Sequence, residues 1–177
     1  GYYLPQSHDV HFIIETEKIN KSKYILDKQG LHVGIYTEHI LPKTILGNLK
    51  TNNKALNVIA SIYAKENNYD DCLLINQDKK IVESLSGNIF IVKDGIIQTP
   101  SLEEGCVNGV LRKIILTKTN FKIQESRISL LDIFNANEVF VTNVISGVQW
   151  INSVDTHVYS NTFSKELIKF LNQNYLI

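Results

Sequence analysis

The chain has 177 residues, 44% hydrophobic and 20% charged, the size and make-up of one globular domain able to bury its own core. Eighteen basic side chains balance eighteen acidic ones, and no basic strip is interleaved with aromatics, so nucleic acid is not an expected partner. No run of about 18 apolar residues and no charged-then-apolar leader occurs, so neither a membrane span nor a signal peptide is expected.

Along the chain, "DVHFIIETEKI" (9–19), following Pro5, is rich in β-formers and predicts a strand; "LHVGIY" (31–36) predicts a short second one. Over 54–67, Leu56, Ile59, Ala60 and Tyr63 fall at helical spacing and predict a helix with that stripe toward the core. "DCLLINQ" (71–77) reads as a buried strand that turns through "NQDKK" into "IVES" (81–84). "NIFIVKDGIIQTP" (88–100) is strand, Asp-Gly turn, strand, punctuated by Thr99-Pro100.

Residues 107–118 predict a helix with Asn108 as its N-cap. "FKIQESRI" (121–128) is the next strand, and Ser129 caps a short helix over "LLDIFNAN". "EVFVTNVI" (138–145) has the unbroken apolar character of a strand covered on both faces. Hairpin-like β structure follows over 147–160, and an amphipathic helix runs from Ser164 to the end. This irregular mixture, rich in hairpins, argues for an α+β domain over a doubly wound parallel sheet.

Several chemistries are absent. There is no GxGxxG, P-loop or GxSxG signature. His8 and His11 fall on opposite faces of the predicted strand, which makes them ordinary histidines and leaves no metal site expected. Cys72 and Cys106 form no CxxC pair and read as reduced core thiols of a cytoplasmic protein.

Taken singly, Lys50 in "NLKTNNKALN", Glu83 in "IVESLSGN" and the turn "EEGCVNGVLR" (103–112) are a solvated amine, a strand-end carboxylate and a helix start. In order they form a series. A lysine with an asparagine three residues on is followed by "[IV]-x-E-x-x-x-x-N-[IL]-F" and "V-K-D-G-x-[IL]-x-T-P". An Asn-Gly turn ending in Arg and then "E-V-F-x-T-N" complete it. This series, spread over 48–148, resembles the fold-type IV pyridoxal-phosphate enzymes, the class IV aminotransferase and aminodeoxychorismate lyase family.

The resemblance implies a large C-terminal cofactor domain over residues 1–177. Without any methionine and opening abruptly on "GYYLPQ", the chain is expected to lack a smaller N-terminal substrate domain before residue 1. The cofactor implied is pyridoxal 5′-phosphate. Lys50 would form the Schiff base with its aldehyde, which calls for a desolvated amine, and would then move the Cα proton. Glu83 would face the pyridine nitrogen. Gly109 and the backbone N–H groups of Val110 and Leu111 would receive the phosphate at a helix start, with Asn88 nearby. Thr142, Asn143, Val144 and Ile145 match the second phosphate-side loop.

The departures also inform. Leu111 and Val144 stand where aminotransferases of the family carry threonines, so phosphate binding would rest more on backbone amides. "VNGVLR", the "TN" at 142–143 and Asn53 lean toward the lyase branch, which converts 4-amino-4-deoxychorismate to 4-aminobenzoate and pyruvate in folate biosynthesis. The alternatives are a branched-chain or D-amino-acid aminotransferase using 2-oxoglutarate, and an inert fragment that only binds cofactor. The family also implies a homodimer. Trp150 and Tyr159 are weighed as interface aromatics against the reading of both as buried core.

Overall fold

The computed structural model describes residues 3–18 and 22–175. In chain order the elements are β1 (Leu31–Leu41), α1 (Ala55–Glu66), β2 (Asp71–Asn76), β3 (Ile81–Ser84), β4 (Asn88–Lys93) and β5 (Ile96–Pro100). They continue with α2 (Val110–Lys118), β6 (Ile123–Ser126), α3 (Leu130–Phe134), β7 (Glu138–Asn143), β8 (Gly147–Val154), β9 (His157–Val158) and α4 (Thr162–Asn174). Short 3₁₀ turns occupy Ile45–Asn48 and Leu102–Glu104.

All nine described strands join one sheet in the order β3-β2-β1-β8-β7-β4-β5-β6, with β9 paired to β8. β1 runs parallel to β2 and β8, and β5 parallel to β6, while the remaining pairs are antiparallel. The α+β expectation therefore holds.

The order forces curvature. β3 and β4 lie five inter-strand steps apart, about 24 Å in a flat sheet at roughly 4.8 Å per step. Four Cα-to-Cα steps link Ser84 to Asn88 and span at most about 15 Å. The sheet must curl until the end of β3 meets the start of β4. Glu83 and Asn88 are thereby brought to one rim.

Period-two alternation then sorts the side chains. Ile89, Ile91, Val139, Val141, Leu73, Ile75 and Ile151 share one cluster on the inner face. Their chain neighbours Phe90, Val92, Phe140, Val148 and Trp150 face out and pack under α2 and α4, against Leu111, Ile115, Leu167 and Leu171. Phe90 and Phe140 stack with centroids 5.1 Å apart, worth about 0.5–1.5 kcal/mol beyond their buried area. β7 contributes to both clusters, as expected of a doubly covered strand. Trp150 and Tyr159 are both buried, so the core reading of these aromatics is the one observed.

Several local expectations need correction. Residues 9–18 form no strand; Val10, Phe12, Ile13 and Ile14 are exposed, and the predicted end at Ile19 lies outside the described residues. A strand is sustained by paired backbone groups, and no described strand lies alongside. In α1 the buried residues are Ala60 and Ala64, with Leu56 and Tyr63 packed partly against them. Ile59 turns outward at 44% exposure. β6 is shorter than 121–128, and β7 stops at Asn143, where a turn begins. α2 is capped by Gly109 with no side-chain bond, not by Asn108. The Ser129 cap is as expected, with a reciprocal bond from Asp132.

Candidate active site

An open cavity of about 680 Å³ lies at the rim where β3, β4 and β7 meet, a volume suited to a small organic ligand. Its walls carry Lys50, Glu83, Asn88, Gly109, Val110, Leu111, Asn143, Val144 and Ile145. Residues far apart in the chain are thus gathered around one space, while Asn53 and Arg112 of the motif series do not line it.

Glu83 sits near the end of β3 and is 5% exposed. Its Oε2 accepts the Val107 N–H at 2.8 Å. Burial pushes its carboxyl above the usual carboxylate range, while the Val107 bond and the charges of Lys54 and Lys50 act against that rise. A buried acid opposed by cations across a cavity can hold a protonated ring nitrogen.

The start of α2 supplies the anion-binding part. The first amides of a helix have no intrahelical acceptor and carry the positive end of its dipole. Gly109 is extended, with φ −67° and ψ 142°, a backbone any residue adopts, so glycine is needed here for space. A Cβ at this position would collide with Asn88 Oδ1. Asn88 is held in turn by donating to the Val107 carbonyl at 2.7 Å. Leu111 buries its side chain in the outer core cluster, which explains an apolar residue here and leaves only its amide for a ligand.

Across the cavity, Thr142 Oγ1 is buried without a hydrogen-bond partner, an arrangement that costs free energy until a ligand satisfies it. The turn after β7 is held by its own asparagine. Asn143 Oδ1 already accepts the amides of Ile145 at 2.9 Å and Ser146 at 2.7 Å. The Ile145 amide is therefore engaged, and the exposed Ile145 side chain stands at the rim.

Lys50 lines the cavity but is exposed, not desolvated as the resemblance implies, because the described elements leave that side of the cavity open. Lys54, which the motif series does not include, lines the same space, half-buried. It occupies the N-cap of α1, whose first turn holds no acid, and it makes no salt bridge among the described residues. A cation is disfavoured at a helix N-terminus, and that local conflict was the available signal.

Among the described residues, no helix is long and apolar enough to cross a membrane. No cluster of three His, Cys, Asp or Glu side chains among them is placed for a metal ion.

The family model described as amino-transferase class IV matches residues 1–154. A branched-chain-amino-acid aminotransferase of Pseudomonas aeruginosa is 36% identical over 89 residues, covering 49% of this chain and 29% of that protein. An aminodeoxychorismate lyase of Vibrio harveyi is 25% identical over 130 residues, covering 72% and 48%. This chain thus spans about half the length, or less, of these curated relatives. Among solved structures, the branched-chain aminotransferase of the thermophilic archaeon Thermoproteus uzoniensis, with norvaline, superposes with a TM-score of 0.76 at 22% identity, covering 85% of this chain and 52% of that one. At that identity the likeness speaks for the fold.

Proposed function

The chain belongs to the class IV aminotransferase family, and from that premise we propose that it binds pyridoxal 5′-phosphate in this cavity and acts on an amino substrate. The observation that carries the reading is buried Glu83 sharing one cavity with Lys50, Lys54 and the first turn of α2. An acid, amines and an anion-receiving helix start suit the ring nitrogen, carbonyl and phosphate of one molecule. The unsatisfied Thr142 hydroxyl and the room left by Gly109 are two further features that such a ligand would fit.

In this reading Glu83 holds the ring nitrogen protonated. The amides of Val110 and Leu111 receive the phosphate, with Val144 on the facing turn and Asn88 bracing the glycine step. Lys50 would be the amine that holds the cofactor by its carbonyl group, and it would move the proton at the substrate Cα. The bound cofactor supplies a ring that accepts the electrons left when a bond to that carbon breaks.

For the substrate we favour the lyase reaction, elimination of pyruvate from 4-amino-4-deoxychorismate to leave 4-aminobenzoate. Its support is the "VNGVLR" turn, the Thr142–Asn143 pair and Asn53. The second reading, a branched-chain aminotransferase, draws on the 36% identical relative. A smaller N-terminal domain covering the open side near Lys50, and a homodimer, belong to the same proposal.

The test is turnover of aminodeoxychorismate with no oxo acid present. Release of 4-aminobenzoate supports the lyase. Turnover only with an amino-acid and oxo-acid pair overturns it in favour of transamination. A protein that gains no yellow absorbance with the cofactor overturns both.

A further inference from the structure

Asn48 ends the 3₁₀ turn just before Lys50 and makes three hydrogen bonds to one segment. Its Nδ2 donates to the carbonyls of Leu102 at 2.9 Å and Cys106 at 2.8 Å, and its backbone carbonyl accepts the Asn108 amide at 3.0 Å. A carboxamide nitrogen has two protons to give, and both are used. Beside it, a Cβ on Gly47 would collide with the Gly105 carbonyl oxygen, so the two segments run in close backbone contact.

The segment that Asn48 grips serves the acid and the phosphate end. Val107 donates its amide to Glu83 and offers its carbonyl to Asn88, and α2 begins three residues later. The outer end of the segment has a separate anchor. The buried carboxylate of Glu104 accepts from Asn76 Nδ2 at 2.7 Å and is paired with Arg127 Nε at 3.1 Å and Lys43 Nζ at 3.3 Å. The turn at 102–104 is therefore tied down without Asn48. What Asn48 adds is the tie between the lysine-bearing segment of the cavity wall and the stretch 106–108.

We propose that Asn48 is a positioning residue, whose carboxamide sets the placement of Lys50 relative to Glu83 by fastening the 106–108 segment to the lysine segment. It acts through Val107 and does not itself line the cavity. The idea rests on the reading that Lys50 and Glu83 serve one bound cofactor, and it predicts a signature in the apoprotein as well. If the segment loosens, the Val107 amide withdraws from Glu83 and the carboxylate loses the only hydrogen bond it accepts among the described residues. The charged or titratable groups that face Glu83 are Lys50 and Lys54 across the cavity and the Cys106 thiol in the gripped segment.

The experiment compares Asn48→Ala, Asn48→Asp and Gly47→Ala with the wild type, each first checked for a native circular dichroism spectrum. Asn48→Asp keeps the shape but removes both donors and turns a carboxylate toward two carbonyls. Gly47→Ala forces the segments apart from the other side, so it keeps the idea testable if an Asn48 variant does not fold. The apoprotein readout is the Glu83 carboxyl titration by carbon-13 NMR, assigned with Glu83→Gln. The second readout is the affinity for pyridoxal 5′-phosphate from its absorbance. Asn67→Ala, which loses a bond to the Tyr63 carbonyl on the exposed side of α1, is the control for stability alone.

The expected result is a Glu83 titration displaced to higher pH in all three variants and not in Asn67→Ala, with cofactor affinity weakened by roughly tenfold or more. A wild-type Glu83 titration in folded Asn48→Ala and Gly47→Ala overturns the assignment, whatever their thermal stability. A wild type that binds no cofactor, with the NMR shifts as expected, overturns the functional reading and leaves the positioning role standing.

Discussion

Gly109 and Asn88 stand in a mutual fit: the space that a Cβ at 109 would occupy is filled by the Asn88 carboxamide oxygen. Asn88 cannot swing away freely, because it is 6% exposed and donates to the Val107 carbonyl. Gly109→Ala should therefore break that bond, at a cost of about 1–2 kcal/mol for buried polar groups left unpaired. Denaturant unfolding should show the loss, and phosphate-bearing ligands should bind more weakly. An alanine variant as stable as wild type would mean that the fit is loose.

Glu83→Gln tests the burial of the acid. Folding raises the Glu83 carboxyl above its ordinary range, so its contribution to stability is fully present below the unfolded value. That contribution is lost as pH rises through the raised folded value. The neutral amide escapes that loss and can still accept from Val107. Thermal unfolding across pH should show the variant gaining on wild type as pH rises from the acid range toward neutrality. A constant or shrinking difference over that window would contradict the burial argument.

Lys54→Gln separates stability from ligand binding. Removing a cation from the α1 N-terminus should stabilise the protein by a few tenths to about 1 kcal/mol. It should also move the Glu83 titration further up, because the Lys54 charge opposes the rise. Anionic ligands should bind less well. A variant that is less stable than wild type would place Lys54 in a structural role.

The thiols offer a plain check on the fold. Cys72 and Cys106 are free, fully buried, and each pushed up to about 11, chiefly by burial. Since the thiolate is the reactive form, a disulfide reagent at about pH 8 should label neither until the protein unfolds. Rapid labelling of the native protein would contradict the packing around β2 and the 106–108 segment.

Local signals carried much of the architecture. Asp94 and Gly95 both adopt positive φ, 51° and 73°, the tight turn that "KDG" announces between two apolar runs. The alternation in β4 and β7 reports real faces. The strand expected over 9–19 fails because an apolar, β-rich run says nothing about whether a partner strand is alongside. The cap at Asn108 is not formed: the helix starts one residue later, with Gly109 at its N-cap, and the Asn108 amide donates to Asn48.

The site was legible in a different way. Lys50 and Glu83 belong to separate segments, and the curl that closes β3 onto β4 brings Glu83 to the rim shared with Asn88 while Asn48 ties the lysine segment to the stretch at 106–108. No periodicity announces the curl or the tie; the pairing of Lys50 with Glu83 comes from the resemblance. Lys54 falls in the sequence only as the first residue of the helix predicted over 54–67, although a cation at a helix N-terminus sets it apart. The letters "TNVIS" do not show that the Asn143 side chain folds back on its own turn to accept the Ile145 and Ser146 amides.

The central claim is that Lys50 is the amine which takes the cofactor. The most direct measurement is borohydride reduction of the protein equilibrated with pyridoxal 5′-phosphate, followed by peptide mapping of the label by mass spectrometry. The account predicts label on Lys50, none on Lys54, and none in Lys50→Ala. Label on Lys54, label scattered over surface lysines, or equal labelling of the Lys50→Ala variant would contradict it.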